Sequence, residues 1–286
     1  MLSAVEAVGS ARTRSRRCAV LGSPIAHSLS PVLHRTAYAE LGLDWSYDAF
    51  EVGEATLAGF LADLDPSWRG LSLTMPLKSV VIPMCDEVSE VARLVGAVNT
   101  VLFTDGRRLG TNTDVPGLVA ALAERGVTRA RSGLLLGVGA TARSALAALA
   151  QTGIVEVYAI ARNPARADEL RALAGQVGVT LTVVSWDQVE SVPPVDVLVS
   201  TVPEEAAAAV ADLVVERTAV VFDVLYHPWP TRLAAAARAQ GRTVVGGLDL
   251  LVHQAAVQVE LMTGESPAPV VAMRTAGETA LRARGA

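Results

Sequence analysis

The chain carries 24 basic residues, and only one of them, Lys78, is a lysine. Arginine replaces lysine at little cost on a solvated face. It cannot replace an amine that must lose its proton, because guanidinium stays charged in proteins. Lys78 is therefore the first candidate for proton chemistry. It ends the segment Leu71-Ser72-Leu73-Thr74-Met75-Pro76-Leu77-Lys78, after an apolar run and a helix-starting proline. Asparagine is nearly as scarce, with Asn99, Asn112 and Asn163. Asn99 lies in Gly96-Ala97-Val98-Asn99-Thr100 and Asn112 in Gly110-Thr111-Asn112-Thr113-Asp114. An amide can donate to and accept from a substrate hydroxyl at once, although both asparagines equally suit turns. Asp114 offers a carboxylate that either caps a helix or serves an amine.

A second group of residues reads as anion-binding. Ser28 and Ser30, two apart in Gly22-Ser23-Pro24-Ile25-Ala26-His27-Ser28-Leu29-Ser30-Pro31, present both hydroxyls to one side of an extended backbone. Near a helix start they suit a carboxylate, and serve equally well as N-caps. Gly137-x-Gly139-x-x-Ala142 follows an apolar run and opens a helix. Glycines there permit a tight turn and a close approach to a pyrophosphate. At the end of the next apolar run, where an NAD site usually places an acid for the ribose, stand Arg162 and Arg166, with no acid before Asp168. Two guanidinium groups at that place favour a 2′-phosphate, hence NADP, by charge-assisted bonding.

These residues need a scaffold, and short apolar runs alternating with amphipathic stretches supply the pattern of β-α-β units. Strands are expected at Cys18–Gly22, Gly70–Leu73, Val98–Phe103, Gly133–Leu136, Val155–Ala161, Leu181–Val184, Val195–Ser200, Ala219–Asp223 and Thr243–Val245. Helices are expected at Pro31–Leu41, Asp114–Arg125, Arg143–Gln151, Pro164–Leu173, Leu248–Met262 and about Val270–Arg282. Residues 1–17 read as a disordered extension, with Arg12, Arg14, Arg16 and Arg17 against Glu6. The Arg16-Arg17 pair suits a twin-arginine export signal, but the apolar run after it breaks at Gly22 and Pro24, so a disordered tail is the expectation and no targeting function is assigned.

Composition narrows the class. At 286 residues the chain suits two domains, and 51% hydrophobic with 19% charged residues allows a sizeable core. A net charge of −5 leaves no basic excess for nucleic acid. Apolar stretches fall short of the roughly 18 residues that a membrane span needs. Cys18 and Cys85 make neither a disulfide framework nor a metal cluster, and His27, His34, His227 and His253 have no ligand company at suitable spacing. The expectation is a soluble cytoplasmic protein that acts on a small molecule, binds no metal, and is a monomer or homodimer.

In their order along the chain, GSPIAHSLSP, SLTMPLK, GAVNT, GTNTD, GVGATA and GGLDLLVHQAA resemble the shikimate dehydrogenase family, over about Cys18 to Gly264. The resemblance implies an α/β fold with an N-terminal substrate domain (18–113 plus 248–286), a Rossmann-type NADP domain (114–247) and a C-terminal helical return. It implies NADPH-dependent reduction of 3-dehydroshikimate to shikimate, on the way to chorismate and the aromatic amino acids. By the same resemblance, Ser28 and Ser30 hold the substrate carboxylate. Thr74, Asn99 and Gln254 bond ring hydroxyls or carboxylate with Tyr226 nearby, and Lys78 with Asp114 forms the catalytic pair. Gly137, Gly139, Ala140 and Thr141 cradle the pyrophosphate, Arg162 and Arg166 take the 2′-phosphate, and Gly247 lies near the nicotinamide.

Some positions depart from the family pattern. Ser72 stands where Asn is frequent, Ala140 replaces a common glycine, and Ala161 and Asn163 replace Asn and Thr. Asp249 and His253 take the place of smaller residues. The rivals are a quinate/shikimate dehydrogenase using NAD, which would show an acid near the ribose, and a non-catalytic shikimate-binding homologue. Methylenetetrahydrofolate dehydrogenase shares a two-domain NADP plan and a lysine, but the paired serines and GTNTD speak against it.

Overall fold

The computed structural model describes residues 16–285. The first apolar run forms β1 (Arg16–Gly22), whose last five residues are all buried, as a central strand covered on both faces requires. It pairs in parallel with β2 (Trp45–Glu51) on one side and β3 (Trp68–Leu73) on the other. Helices α1 (Ser30–Glu40) and α2 (Glu54–Ala62) make the connections. The four-residue helix α3 (Leu77–Val80) follows β3 and carries Lys78. Then come β4 (Glu87–Val88), α4 (Glu90–Val95), β5 (Thr100–Thr104) and β6 (Arg107–Thr111). The sheet order is β2-β1-β3-β5-β6-β4, with β5 antiparallel to β3 and to β6.

Helix α5 (Asp114–Glu124) leads to a second sheet of β7 (Ser132–Leu136), β8 (Glu156–Ala161), β9 (Thr180–Ser185), β10 (Val195–Ser200), β11 (Thr218–Asp223) and β12 (Thr243–Val245). Its crossovers are α6 (Ala140–Gln151), α7 (Asp168–Val177), α8 (Glu204–Ala208), α9 (Ala211–Glu216) and α10 (Arg232–Ala239). All its pairs are parallel, in the order β12-β11-β10-β7-β8-β9. This is the doubly wound order, whose direction reverses beside the first strand and leaves a crevice at the strand ends. The chain closes with α11 (Gly247–Thr263) and α12 (Val270–Gly285). They return to the first sheet, where Val252, Ala255, Val259, Met262 and Met273 pack with Cys18, Val20, Leu33 and Tyr38. Full burial of one such aliphatic side chain is worth about 1.5–3 kcal/mol.

The expected two-domain α/β architecture is thus observed, with differences at particular elements. The expected extension runs to residue 17, whereas β1 starts at Arg16. Arg17 pairs its backbone with Ser46 and Trp68, and its guanidinium lies 4.5 Å over the Trp68 ring. Residues 1–15, with Arg12 and Arg14, lie outside the described residues. The expected helix Pro164–Leu173 is instead a 3₁₀ turn, Pro164–Ala167, followed by α7, because Asn163 accepts the Ala165 N–H and starts a separate turn. Among the strands that sequence reading does not place is β2, an edge strand of mixed polar and apolar residues in which only Tyr47 is buried.

Candidate active site

Lys78 lies where β3 gives way to α3, and Asp114 opens α5, 36 residues later. The fold brings Lys78 Nζ to 2.7 Å from Asp114 Oδ2, with side chains 17% and 8% exposed. The amine is thus screened but still in reach of a cavity. Asn99 Nδ2 donates to the other carboxylate oxygen, Oδ1, at 2.8 Å. Asp114 therefore caps no backbone with its side chain, and both its oxygens are committed to the site.

Ser28, Ser30, Thr74, Lys78, Asn99, Asp114, Tyr226, Gly247 and Gln254 all line one cavity of about 290 Å³. Ser30 is the first residue of α1 and Leu29 takes the N-cap place, so neither serine is the cap; Ser28 Oγ instead accepts the Ser30 N–H at 3.3 Å. Tyr226, on the loop after β11, approaches the other side, with its hydroxyl 3.5 Å from the His27 carbonyl. Burial pushes its phenol pKa up, so it stays a neutral donor. Gln254 Oε1 accepts from Thr113 at 3.4 Å while its amide nitrogen donates to Leu251 O at 3.0 Å. At Gly247 a Cβ would lie 2.6 Å from the Leu225 carbonyl carbon, so only glycine lets α11 begin against that loop.

A second cavity of about 540 Å³ is lined by Gly137, Gly139, Arg162 and Arg166. Gly137 has φ +101°, and a Cβ there would lie 2.7 Å from Thr201 Oγ1. At Gly139 nothing would meet a Cβ, so the space before α6 is open to a phosphate. Ala140 and Thr141 form the first turn of this 12-residue helix, whose Gly139 N-cap offers no side-chain acceptor to its free N–H groups. Arg162 and Arg166 make no salt bridge among the described residues, and Asp168 pairs with Arg171 at 2.9 Å instead. Open glycine turn, helix N-terminus and two unpaired guanidiniums together fit a 2′-phosphorylated dinucleotide. Thr141 also lines the first cavity, so this turn meets the lysine–carboxylate site.

Asn112 is not brought to the cavity: its amide donates to Ala97 O and Ser144 Oγ and accepts the Val115 N–H, a structural role in the turn before α5. Sequence reasoning missed Gln258, which lines the cavity beside Gln254. Two glutamines one helical turn apart, beside the alanines and valines of α11, were the available signal. A larger groove of about 1070 Å³ behind the Tyr226 loop holds neither Lys78 nor Asp114. Among the described residues no group of three potential metal ligands occurs, and no helix is long and apolar enough to cross a membrane. Burial pushes the thiols of Cys18 and Cys85 up to about 11, which suppresses their reactivity.

A paired amine and carboxylate, where a small polar cavity meets a dinucleotide turn, defines a two-domain dinucleotide-dependent oxidoreductase. Comparison with known proteins narrows this class. A family model described as shikimate dehydrogenase substrate binding domain matches residues 20–101, and one for the shikimate 5′-dehydrogenase C-terminal domain matches 247–276. Residues 134–245 match the saccharopine dehydrogenase NADP binding domain. A shikimate dehydrogenase (NADP(+)) of Nostoc is 33% identical over 280 residues, covering 92% of this chain and 96% of the relative. The crystal structure of Mycobacterium tuberculosis shikimate dehydrogenase is 41% identical with a TM-score of 0.85, over 92% of this chain and 99% of that one. The shikimate 5-dehydrogenase of Thermus thermophilus, solved in complex with NADP(H) and shikimate, is 34% identical with a TM-score of 0.79, over 93% of this chain and 100% of that one. The chain belongs to the shikimate dehydrogenase family.

Proposed function

We propose that this enzyme catalyses the reversible NADPH-dependent reduction of 3-dehydroshikimate to shikimate, a step toward chorismate and the aromatic amino acids. The observation that carries the reading is the Lys78–Asp114 pair at 2.7 Å, set in the cavity that also holds Ser28, Ser30 and the start of α6. When bound, NADPH supplies the hydride. Lys78 donates a proton to the ring oxygen as negative charge grows there, and its ammonium stabilises that charge. Asp114, itself held by Asn99, keeps the amine aimed at that oxygen. In the oxidising direction the same pair receives the hydroxyl proton.

Ser28 and Ser30 anchor the substrate carboxylate, while Thr74, Asn99 and Gln254 bond the ring hydroxyls or carboxylate, with Tyr226 nearby. Gly137, Gly139, Ala140 and Thr141 receive the pyrophosphate, Arg162 and Arg166 the 2′-phosphate, and Gly247 supports the nicotinamide. We place the division between units at 18–113 plus 248–286 and 114–247, with α5 packed on both α11 and α6. A cytoplasmic location and a monomer or homodimer belong to the same proposal, and fractionation and sedimentation check them.

Initial rates with shikimate and quinate, each with NADP and NAD, test the reading. It expects shikimate with NADP to give the highest kcat/KM. A preference for quinate with NAD would make the chain a quinate/shikimate dehydrogenase, and a folded protein without turnover in any combination would make it a binding homologue.

A further inference from the structure

A directed chain of buried hydrogen bonds ends on the lysine–carboxylate pair. The Tyr47 hydroxyl donates to Ser72 Oγ at 2.6 Å, and Ser72 donates to Gln258 Oε1 at 2.8 Å. Gln258 Nε2 donates to Thr100 Oγ1 at 2.9 Å, and Thr100 donates to Asn99 Oδ1 at 2.8 Å. Asn99 Nδ2 then donates to Asp114 Oδ1 at 2.8 Å, leaving Oδ2 for Lys78. Tyr47, Ser72, Thr100, Asn99 and Gln258 are all less than a twentieth exposed.

The direction of every link is forced. Gln258 Nε2 also donates to the Asn99 carbonyl at 3.3 Å, so its oxygen faces Ser72 and must accept, and burial keeps the Tyr47 phenol protonated. A hydroxyl has one proton: Ser72 spends it on the Gln258 oxygen and so accepts from Tyr47, and Thr100 spends it on the Asn99 oxygen and so accepts from Gln258. Asn99 Oδ1 also accepts the Thr113 backbone N–H at 2.8 Å, which only the oxygen of an amide can do. The nitrogen of that amide must therefore face Asp114. A carboxylate, with acceptors only, is the natural terminus.

We propose that Thr100 and Gln258 are positioning residues for the reaction: beside the Thr113 backbone N–H they hold the Asn99 amide oxygen in place, so that its nitrogen aims Asp114, and through it the Lys78 amine. The inference rests on the reading of Lys78 and Asp114 as the proton-transferring pair. Thr100 is fully buried and does not line the substrate cavity; its hydroxyl meets the site through Asn99 at 2.8 Å, with Thr113 Oγ1 a more distant neighbour at 3.5 Å. Gln258 lines the cavity wall and carries the link from the interior of the sheet.

The test is steady-state kinetics of Thr100→Val, Thr100→Ser and Gln258→Leu, with NADP binding measured separately. Thr100→Val is expected to lower kcat about tenfold, the scale of one lost buried hydrogen bond, with KM for shikimate and Kd for NADP held within about twofold. Thr100→Ser, which keeps the hydroxyl, restores kcat to within about twofold of the parent. Thr100→Val combined with Gln258→Leu is no slower than the worse single variant, because both cut one chain. An unchanged kcat in Thr100→Val, a Thr100→Ser as slow as the valine variant, or losses that multiply would each overturn the proposal. If Thr100→Val does not fold, Thr100→Ala, which only removes atoms, is read in the same way. Lys78→Ala separates the two levels. Full turnover in Lys78→Ala defeats the reading of the pair, whereas an inactive Lys78→Ala beside a normal Thr100→Val defeats this inference alone.

Discussion

Cofactor choice offers a prediction whose size follows from the cavity beside β8. Arg162 and Arg166 are exposed, lie on one cavity and make no salt bridge among the described residues. Asp168, the nearest acid beyond them, is turned to Arg171. The two guanidiniums therefore need not break an ion pair to meet a phosphate. Charge-assisted hydrogen bonds contribute more than neutral ones, but solvent screening at an exposed site brings each down to about tenfold in affinity. Arg162→Ala and Arg166→Ala should each raise KM for NADP about tenfold, and the double variant about a hundredfold. KM for NAD, which has no 2′-phosphate, should stay within about twofold. The assay is shikimate oxidation at low ionic strength with both cofactors, repeated with added salt, which should weaken the parent's NADP preference. Equal losses for NADP and NAD, or an unaltered KM for NADP in the double variant, would refute the placement of the phosphate.

Two further outcomes follow. Gly247→Ala sets a methyl against Val224 O and Leu225, so it should displace the start of α11, raise KM for cofactor and cut kcat about tenfold or more while the protein stays folded; parent-like kinetics would show that α11 does not depend on this contact. His34 is fully buried, and burial lowers its pKa from 6.5 to about 4. Its folded pKa lies below the unfolded one, so stability is fully present above about pH 6.5 and declines as pH falls toward 4, by about 3 kcal/mol in all. Urea titrations of the parent and His34→Phe across that range should show this acid slope in the parent alone.

How much of this was visible in the chain itself differs from residue to residue. Lys78 stood out because arginine cannot do an amine's proton chemistry, and Arg162 and Arg166 because an acid was missing where one is usual. The central strands were legible as unbroken apolar runs such as Cys18–Gly22, which covered faces require. The edge strand β2 was not, because Ser46, Asp48 and Glu51 interrupt its apolar residues, as an edge open to solvent allows. Arg16 and Arg17 looked like a charged tail, although backbone pairing with β2 and β3 does not depend on the side chain. The hydrogen bonds of Gln258 to Thr100 and Ser72 span 158 and 186 residues, and no local pattern encodes such a meeting. Ser72 was noticed only as a departure from a family pattern, and its partnership with the buried Tyr47 needed the fold.

The central claim is that the Lys78 amine moves the proton at the substrate oxygen. Its most direct test is turnover of Lys78→Ala and Lys78→Arg in both directions, with NADP binding measured on the same preparations. The account predicts a loss of about a hundredfold or more in kcat for both variants, with cofactor binding retained. A Lys78→Arg enzyme that turns over at close to the parent rate would contradict it, because a side chain that cannot release a proton would then be doing the work.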